Sequence, residues 1–173
     1  MRKTLLITIA IITLISAAYS QKAAKNCDIS GYVFDNDPTG LNVRATPDKS
    51  GRVLSRLKKG AGDISLDIIG TSGNGWVKIT NAWHGEDGEL FNDKGWVFAN
   101  LLATGTKGYP NYDSTVKLYS APSKNSQALK EIRSEEEVIV LDCDGKWAKV
   151  RYFKTIGWLA PENQCGSPFT NCN

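Results

Sequence analysis

The sequence predicts an all-β chain organised as two small barrels in tandem behind a leader peptide. Three observations predict it: landmarks written twice in one order, short runs of alternating apolar and polar residues, and no sustained 3.6-residue apolar period after the leader. The landmarks open with Leu41-Asn42-Val43-Arg44-Ala45-Thr46-Pro47, which returns as Val116-Lys117-Leu118-Tyr119-Ser120-Ala121-Pro122, the prolines lying 75 positions apart. Leu54 and Leu57 answer to Leu129 and Ile132 at the same offset. Trp76-Val77-Lys78-Ile79 answers to Trp147-Ala148-Lys149-Val150 at 71, and Gly95-Trp96-Val97 to Gly157-Trp158-Leu159 at 62. Falling offsets in a fixed order are what two copies of one unit give when the first has longer loops. Short strands without helices to cover them must curl to hide their edges, hence barrels.

The boundaries follow from the same pass. Met1-Arg2-Lys3 is a basic start, Leu5 to Ala18 a mostly apolar run, and Ala18-Tyr19-Ser20 a small-x-small cleavage site, so residues 1–20 are expected to be a secretory signal peptide. The first unit takes 21–104, a connector rich in Gly, Pro, Asn and Tyr takes 105–112, and the second unit with a cysteine-containing tail takes 113–173. The protein is then exported, periplasmic or extracellular, with no stable membrane anchor after cleavage. Units of about 60 residues bury only about 60% of their unfolded surface, so each is expected to lean on the other or on cross-links.

Within unit one, Cys27 to Phe34 alternates loosely and Asp35-Asn36-Asp37-Pro38-Thr39-Gly40 supplies a tight turn. That turn resembles the opening of a calcium loop but has Thr46 where such a loop needs its twelfth-position Glu. Leu41 to Arg44 alternates as a strand, Val53 to Leu57 begins the next stretch, and Ile64-Ser65-Leu66-Asp67-Ile68 alternates clearly. Ser72-Gly73-Asn74-Gly75 is a hairpin turn, Trp76 resumes β structure, and Gly95-Trp96-Val97-Phe98 with Asn100-Leu101-Leu102 closes the unit. Unit two repeats the plan through Val138 to Leu141, the turn Asp142 to Gly145, Trp147 to Tyr152 and Gly157 to Leu159.

Composition excludes several classes. Of 21 basic side chains two lie in the leader, which leaves the mature chain nearly balanced against its 18 acidic ones and gives no case for nucleic acid as partner. Four cysteines in an exported chain read as two disulfides, with three pairings possible. Cys165 and Cys172 flank a turn-rich segment, which favours their pairing and leaves Cys27 to Cys143. A cross-link that long contributes about 4 kcal/mol in the chain-entropy model. With one His and no close Cys pair, no metal and no cofactor are expected. Catalytic residues are not expected either, because cysteine or serine chemistry recruits a partnered base.

The order LNVR-x-x-P, an apolar pair, K-x-G, an alternating strand, W-x-K-[IV] and G-W-V resembles the bacterial SH3b domain, over about Cys27 to Thr104 and again from Asp113 to about Cys165. The second copy, with VKLYSAP, is the more divergent. The resemblance implies a five-to-seven-stranded barrel for each copy and non-catalytic attachment to cell-wall peptide or glycan or to a protein, commonly beside a hydrolase. No hydrolase sequence accompanies the units here. A structural or inhibitory partner protein is the alternative, and a cell-wall hydrolase a remoter one.

Candidate contact residues are aromatic. Trp76 and Trp96, like Trp147 and Trp158, either pack the barrels or stand at a rim as recognition anchors. Trp76 to Trp96 spans nine more residues than Trp147 to Trp158, and this excess carries Trp83, His84 and Phe91 among Gly, Glu and Asp. Trp83 and Phe91 either cover the junction with unit two or meet a partner. His84 reads as a solvated loop residue. Arg44 is an outward strand residue that could also pair with a peptide carboxylate.

Overall fold

A computed structural model describes residues 24–58, 63–85, 87–107 and 114–166; the expected leader, positions 108–112 of the connector and Cys172 lie outside them. Unit one comprises β1 (Lys25–Val33), β2 (Leu41–Arg44), β3 (Val53–Leu57), β4 (Ile64–Thr71), β5 (Trp76–His84), β6 (Gly88–Phe91), β7 (Gly95–Phe98) and, after one 3-10 turn, β8 (Leu102–Thr106). Unit two comprises β9 (Thr115–Tyr119), β10 (Ala128–Arg133), β11 (Glu137–Asp144), β12 (Trp147–Tyr152), β13 (Thr155–Leu159) and, after a second 3-10 turn, β14 (Gln164–Cys165). Among the described residues there is no α-helix, and no helix long and apolar enough to cross a membrane.

The alternation in the sequence becomes the two faces of the sheet. Ile64, Leu66 and Ile68 of β4 are at most 2% exposed while Ser65 and Asp67 between them face outward, and Val138 and Val140 do the same in β11. With no helix to cover it, a sheet buries one face this completely only by folding over its own apolar side, which makes each half a small barrel. The turn between β1 and β2 is closed by its own carboxylates. The Asp37 amide donates to Asp35 Oδ1 at 3.0 Å and the Thr39 amide to Asp37 Oδ1 at 2.8 Å. Gly40 follows with φ 85°, and a Cβ there would stand 2.6 Å from the Leu57 carbonyl oxygen, so only glycine fits.

The two units form one antiparallel sheet in the order β10-β9-β13-β12-β11-β8-β1-β4-β5-β7-β2-β3, with β14 beside β8 and β6 beside β5. β8 is the seam. On one edge it pairs with β11, Ala103 opposite Ile139 and Thr104 opposite Val138. Its other ladders run to β1, Leu102 opposite Val33 and Ala103 opposite Tyr32, and to β14, Gly105 opposite Cys165. β8 therefore closes unit one and stands against β11 as β1 stands against β4. It runs on through Gly105 and Thr106, residues that the sequence assigned to the connector. The buried side chains are correspondingly continuous, one cluster reaching from Val43 and Ile79 through Leu102 and Cys143 to Val150 and Leu159.

Cross-links reinforce the seam. Cys27 and Cys143 form a disulfide with 5.8 Å between Cα atoms, and beside it the Asp28 amide donates to the Gly145 carbonyl at 2.9 Å and the Gly145 amide to the Asn26 carbonyl at 3.0 Å. Cys165 is also disulfide-bonded, and none of the described cysteines is free. Lys25 pairs with Asp144, and the Arg151 guanidinium donates to Asn100 Oδ1 at 2.6 Å. The Tyr32 hydroxyl donates to Glu137 Oε2 at 2.9 Å. Burial first, and then that bond to a carboxylate, hold the Tyr32 phenol well above its ordinary value. A phenol raised on folding stabilises the protein fully below its unfolded value near 10, and that contribution fades as pH rises beyond it. Tyr32→Phe is therefore expected to lose about 1.5 kcal/mol at pH 7 and to show a smaller drop than the parent between pH 9 and about pH 11 in urea unfolding.

Candidate ligand-binding surface

The aromatic residues singled out in the sequence separate into three environments. Trp76 is 8% exposed and packs edge-on against Phe98, the residue opposite it on β7, with ring centroids 5.7 Å apart. It builds the wall of unit one. Phe91 on β6 is half-buried against the core cluster, its ring tip 3.4 Å from where a Cβ on Gly95 would lie. Trp83 alone stands out, at 50% exposure.

Trp96 and Arg44 come together on a second face. Trp96 lies opposite Lys78 on one side and opposite Arg44 on the other, and the Lys78 ammonium sits 5.7 Å from the Trp96 ring centroid. Arg44 Nη1 donates to the Gly51 carbonyl at 2.8 Å, which ties its guanidinium to the loop after β2. Unit two has the matching row Tyr119, Trp158 and Lys149, with Lys149 5.9 Å and Lys25 of β1 6.0 Å from the Trp158 ring. The repeat thus extends to an outward cation-on-tryptophan stack in each unit.

Trp83 forms one wall of a cleft of about 330 Å³ on the outer face of β1, β4, β5 and β6. The register explains the convergence. Trp83 stands opposite Ser65 on β4 and Glu89 on β6, and Asp67, two residues from Ser65 on the same face, stands opposite Ser30 on β1. Ser30 Oγ donates to Asp67 Oδ1 at 3.1 Å and Asn81 Nδ2 to Asp67 Oδ2 at 3.2 Å, so this carboxylate is held rigidly by neutral donors. Gly166 closes the far rim, packed so tightly on Ser30 that a Cβ would come within 2.4 Å of it. Unit two therefore supplies an edge of unit one's cleft.

The segment expected as a polar loop is instead a hairpin, and His84 is not solvated. It is 2% exposed, ends β5, and its Nδ1 accepts the Asp87 amide at 3.1 Å, while the buried Nε2 meets no hydrogen-bond partner. The cause is a bulge. Asn81 takes φ 50°, and the inward positions shift from Val77 and Ile79 to Ala82 and His84, which turns Trp83 outward. Among the described residues no three His, Cys, Asp or Glu side chains are placed to hold a metal ion. Asp67, Asn81 and Ser30 were not indicated by the sequence, because each is an ordinary polar residue on an outward strand position until register brings it beside Trp83.

Two small barrels of short strands, written on one repeated pattern, define the class as a tandem of all-β modules. The profile of the bacterial SH3 domain matches residues 39–103 and 114–163, so the chain belongs to the bacterial SH3 domain family and carries it twice. A curated relative is the putative N-acetylmuramoyl-L-alanine amidase YrvJ of Bacillus subtilis (strain 168), 24% identical over 132 residues that cover 70% of this chain and 23% of that protein. Among solved structures, NlpC2 from Trichomonas vaginalis is 17% identical with a TM-score of 0.32, covering 80% of this chain and 48% of that one. NlpC1 from the same organism is 16% identical, TM-score 0.32, covering 87% and 50%. The chain thus spans about a quarter of the curated relative and about half of the two structures.

Proposed function

We propose that this protein is an exported, non-catalytic module that holds cell-wall material on unit one, with Trp83 as the central contact. The observation that carries the reading is the half-exposed Trp83 in a cleft with Ser65, Asp67, Asn81 and Glu89. A broad aromatic face ringed by carboxylate, amide and hydroxyl groups suits a sugar ring or an extended peptide, which stacks on the ring and exchanges hydrogen bonds at its edges. Family membership supports it, as does a relative named for acting on an N-acetylmuramoyl-L-alanine bond, matched over a minor part of its length. The basic and apolar leader sequence and the Cys27–Cys143 bridge support export. Against catalysis stand the burial of the one histidine and the oxidised state of Cys27, Cys143 and Cys165.

Co-sedimentation of the mature protein with purified cell-wall sacculi tests the proposal. The parent is expected to pellet with the sacculi and Trp83→Ala to bind about tenfold or more weakly, the loss typical of a central aromatic anchor. Its thermal unfolding should stay close to that of the parent, since the ring is half in water. Equal retention of Trp83→Ala and parent would refute this site, and a parent that stays in the supernatant would refute the cell-wall reading.

A further inference from the structure

Unit two holds the larger cleft, about 670 Å³, between β10 and the β12–β13 turn. Comparison of the two copies accounts for it. In unit one the nine additional residues fold β5 and β6 into a hairpin whose strand β6 lies against β3, with Leu90 and Phe91 packed on the core. β3 is one end of the sheet and β10 the other. Unit two has no counterpart of β6, because β12 returns directly to β13 through Phe153 and Lys154. What β6 covers in unit one is therefore open in unit two. Leu54 of β3 is partly covered, whereas its counterpart Leu129 on β10 is 43% exposed.

Two features of the opening point to a ligand. The first is Phe153, 83% exposed and at φ 50°, in the first position of a two-residue turn where glycine is normally preferred. Its ring stands edge-on to Tyr152 at 4.7 Å, so the cleft has an aromatic corner kept at the cost of local strain and water exposure. The second is charge. Lys130, Arg133 and Lys154 line the cleft with two acids, of which Glu131 is paired with Lys117 at 3.4 Å, so three cations stand there against one remaining carboxylate, Glu136 beside the Tyr152 phenol. Lys130 and Lys154 have no acidic partner among the described residues. The surface therefore presents positive charge beside Ile132, Tyr152 and Phe153.

We propose that unit two binds an extended acidic peptide segment of a partner protein, laid between β10 and the Phe153–Lys154 turn in the place that β6 fills in unit one. In unit one β6 is hydrogen-bonded to β5 and only lies against β3. With no extension of β12 to pair with, the peptide backbone would instead pair with the outer edge of β10, the counterpart of β3 at the end of the sheet. β6 itself supplies the template. Asp87-Gly88-Glu89-Leu90-Phe91-Asn92-Asp93 sets an apolar pair between carboxylates, the pattern that the basic rim and aromatic corner of unit two would accept. This site is separate from the Trp83 cleft and does not depend on cell-wall binding.

The probe is a synthetic, end-capped peptide with the sequence of residues 87–93, titrated into the full mature chain and followed by isothermal calorimetry. Saturable binding is expected, weakened about tenfold or more by Phe153→Gly and by the pair Lys130→Glu with Lys154→Glu, and weakened by salt. A peptide with lysines in place of its three acids is expected not to bind. All three altered side chains are exposed, and glycine suits the turn better than Phe153, so folding should persist in each variant, as circular dichroism will check. The proposal falls if the peptide fails to saturate below about 1 mM in the folded parent, if both signs of peptide bind alike, or if the variants bind as the parent does. Concentration-dependent self-association dissolved by the same variants would overturn the partner in favour of a second copy of this chain. Retention of sacculus binding by Phe153→Gly is expected, and its loss would overturn the independence of the two sites.

Discussion

A chain carrying Cys27→Ala and Cys143→Ala together is expected to be about 4 to 5 kcal/mol less stable in urea than the oxidised parent. The bridge spans 116 positions, a loop long enough that its closure removes much of the unfolded chain's freedom. Little of the loss should come from the native state. The partners lie on strands already tied by the backbone bonds between Asp28 and Gly145 and between Gly145 and Asn26, and Tyr32 still reaches Glu137. The urea dependence should therefore steepen as the unfolded state expands, while the folded spectrum is unchanged. Replacing both cysteines avoids leaving one buried thiol without its partner. A loss below about 1 kcal/mol, with unchanged steepness, would show that strand pairing alone sets the seam and that the cross-link adds nothing to it.

The strands were legible because their sequences alternate, and the barrels because the same signposts recur. Leu41 and Val43 are buried like Val116 and Leu118, and Val97 like Leu159. The Cys27–Cys143 pairing was also within reach, since the turn-rich segment before Cys172 leaves the two distant cysteines for each other. The seam was not. Leu102 to Thr106 carries no signpost that tells one strand it will hydrogen-bond on both edges, and that role depends on contacts 30 or more positions away, with Ile139 on one side and Tyr32 on the other. The candidate cleft was half legible: an extra Trp in a long insertion flagged Trp83, but the bulge at Asn81 that turns it outward and hides His84 is a matter of pairing, which period-2 reading from Val77 places in the opposite phase. The opening in unit two was less visible still, because it arises from residues that are missing rather than from residues present.

Ala103→Pro is expected to destabilise both units together, by about 3 kcal/mol or more. Ala103 is fully buried and lies opposite Tyr32 on one edge and Ile139 on the other, so a proline there removes a ladder donor from the interior of the sheet and places a ring where the Ala103 carbonyl already stands 2.8 Å from the position of a Cβ on Gly31. Were the units independent, a lesion in the last strand of unit one would leave β12 and β13 unaffected. The shared strand predicts otherwise, because β11 loses its neighbour when β8 leaves, and the core from Leu102 to Val150 opens along one continuous surface. Native-state hydrogen exchange separates the two cases. Amides of Val77 and Ile79 in unit one and of Val150 in unit two should lose protection by similar free energies and at the same denaturant concentration. Protection that falls for Val77 and Ile79 while Val150 keeps its parental value would show that β8 serves unit one alone, and the two barrels would then be neighbours on one chain instead of one cooperative body.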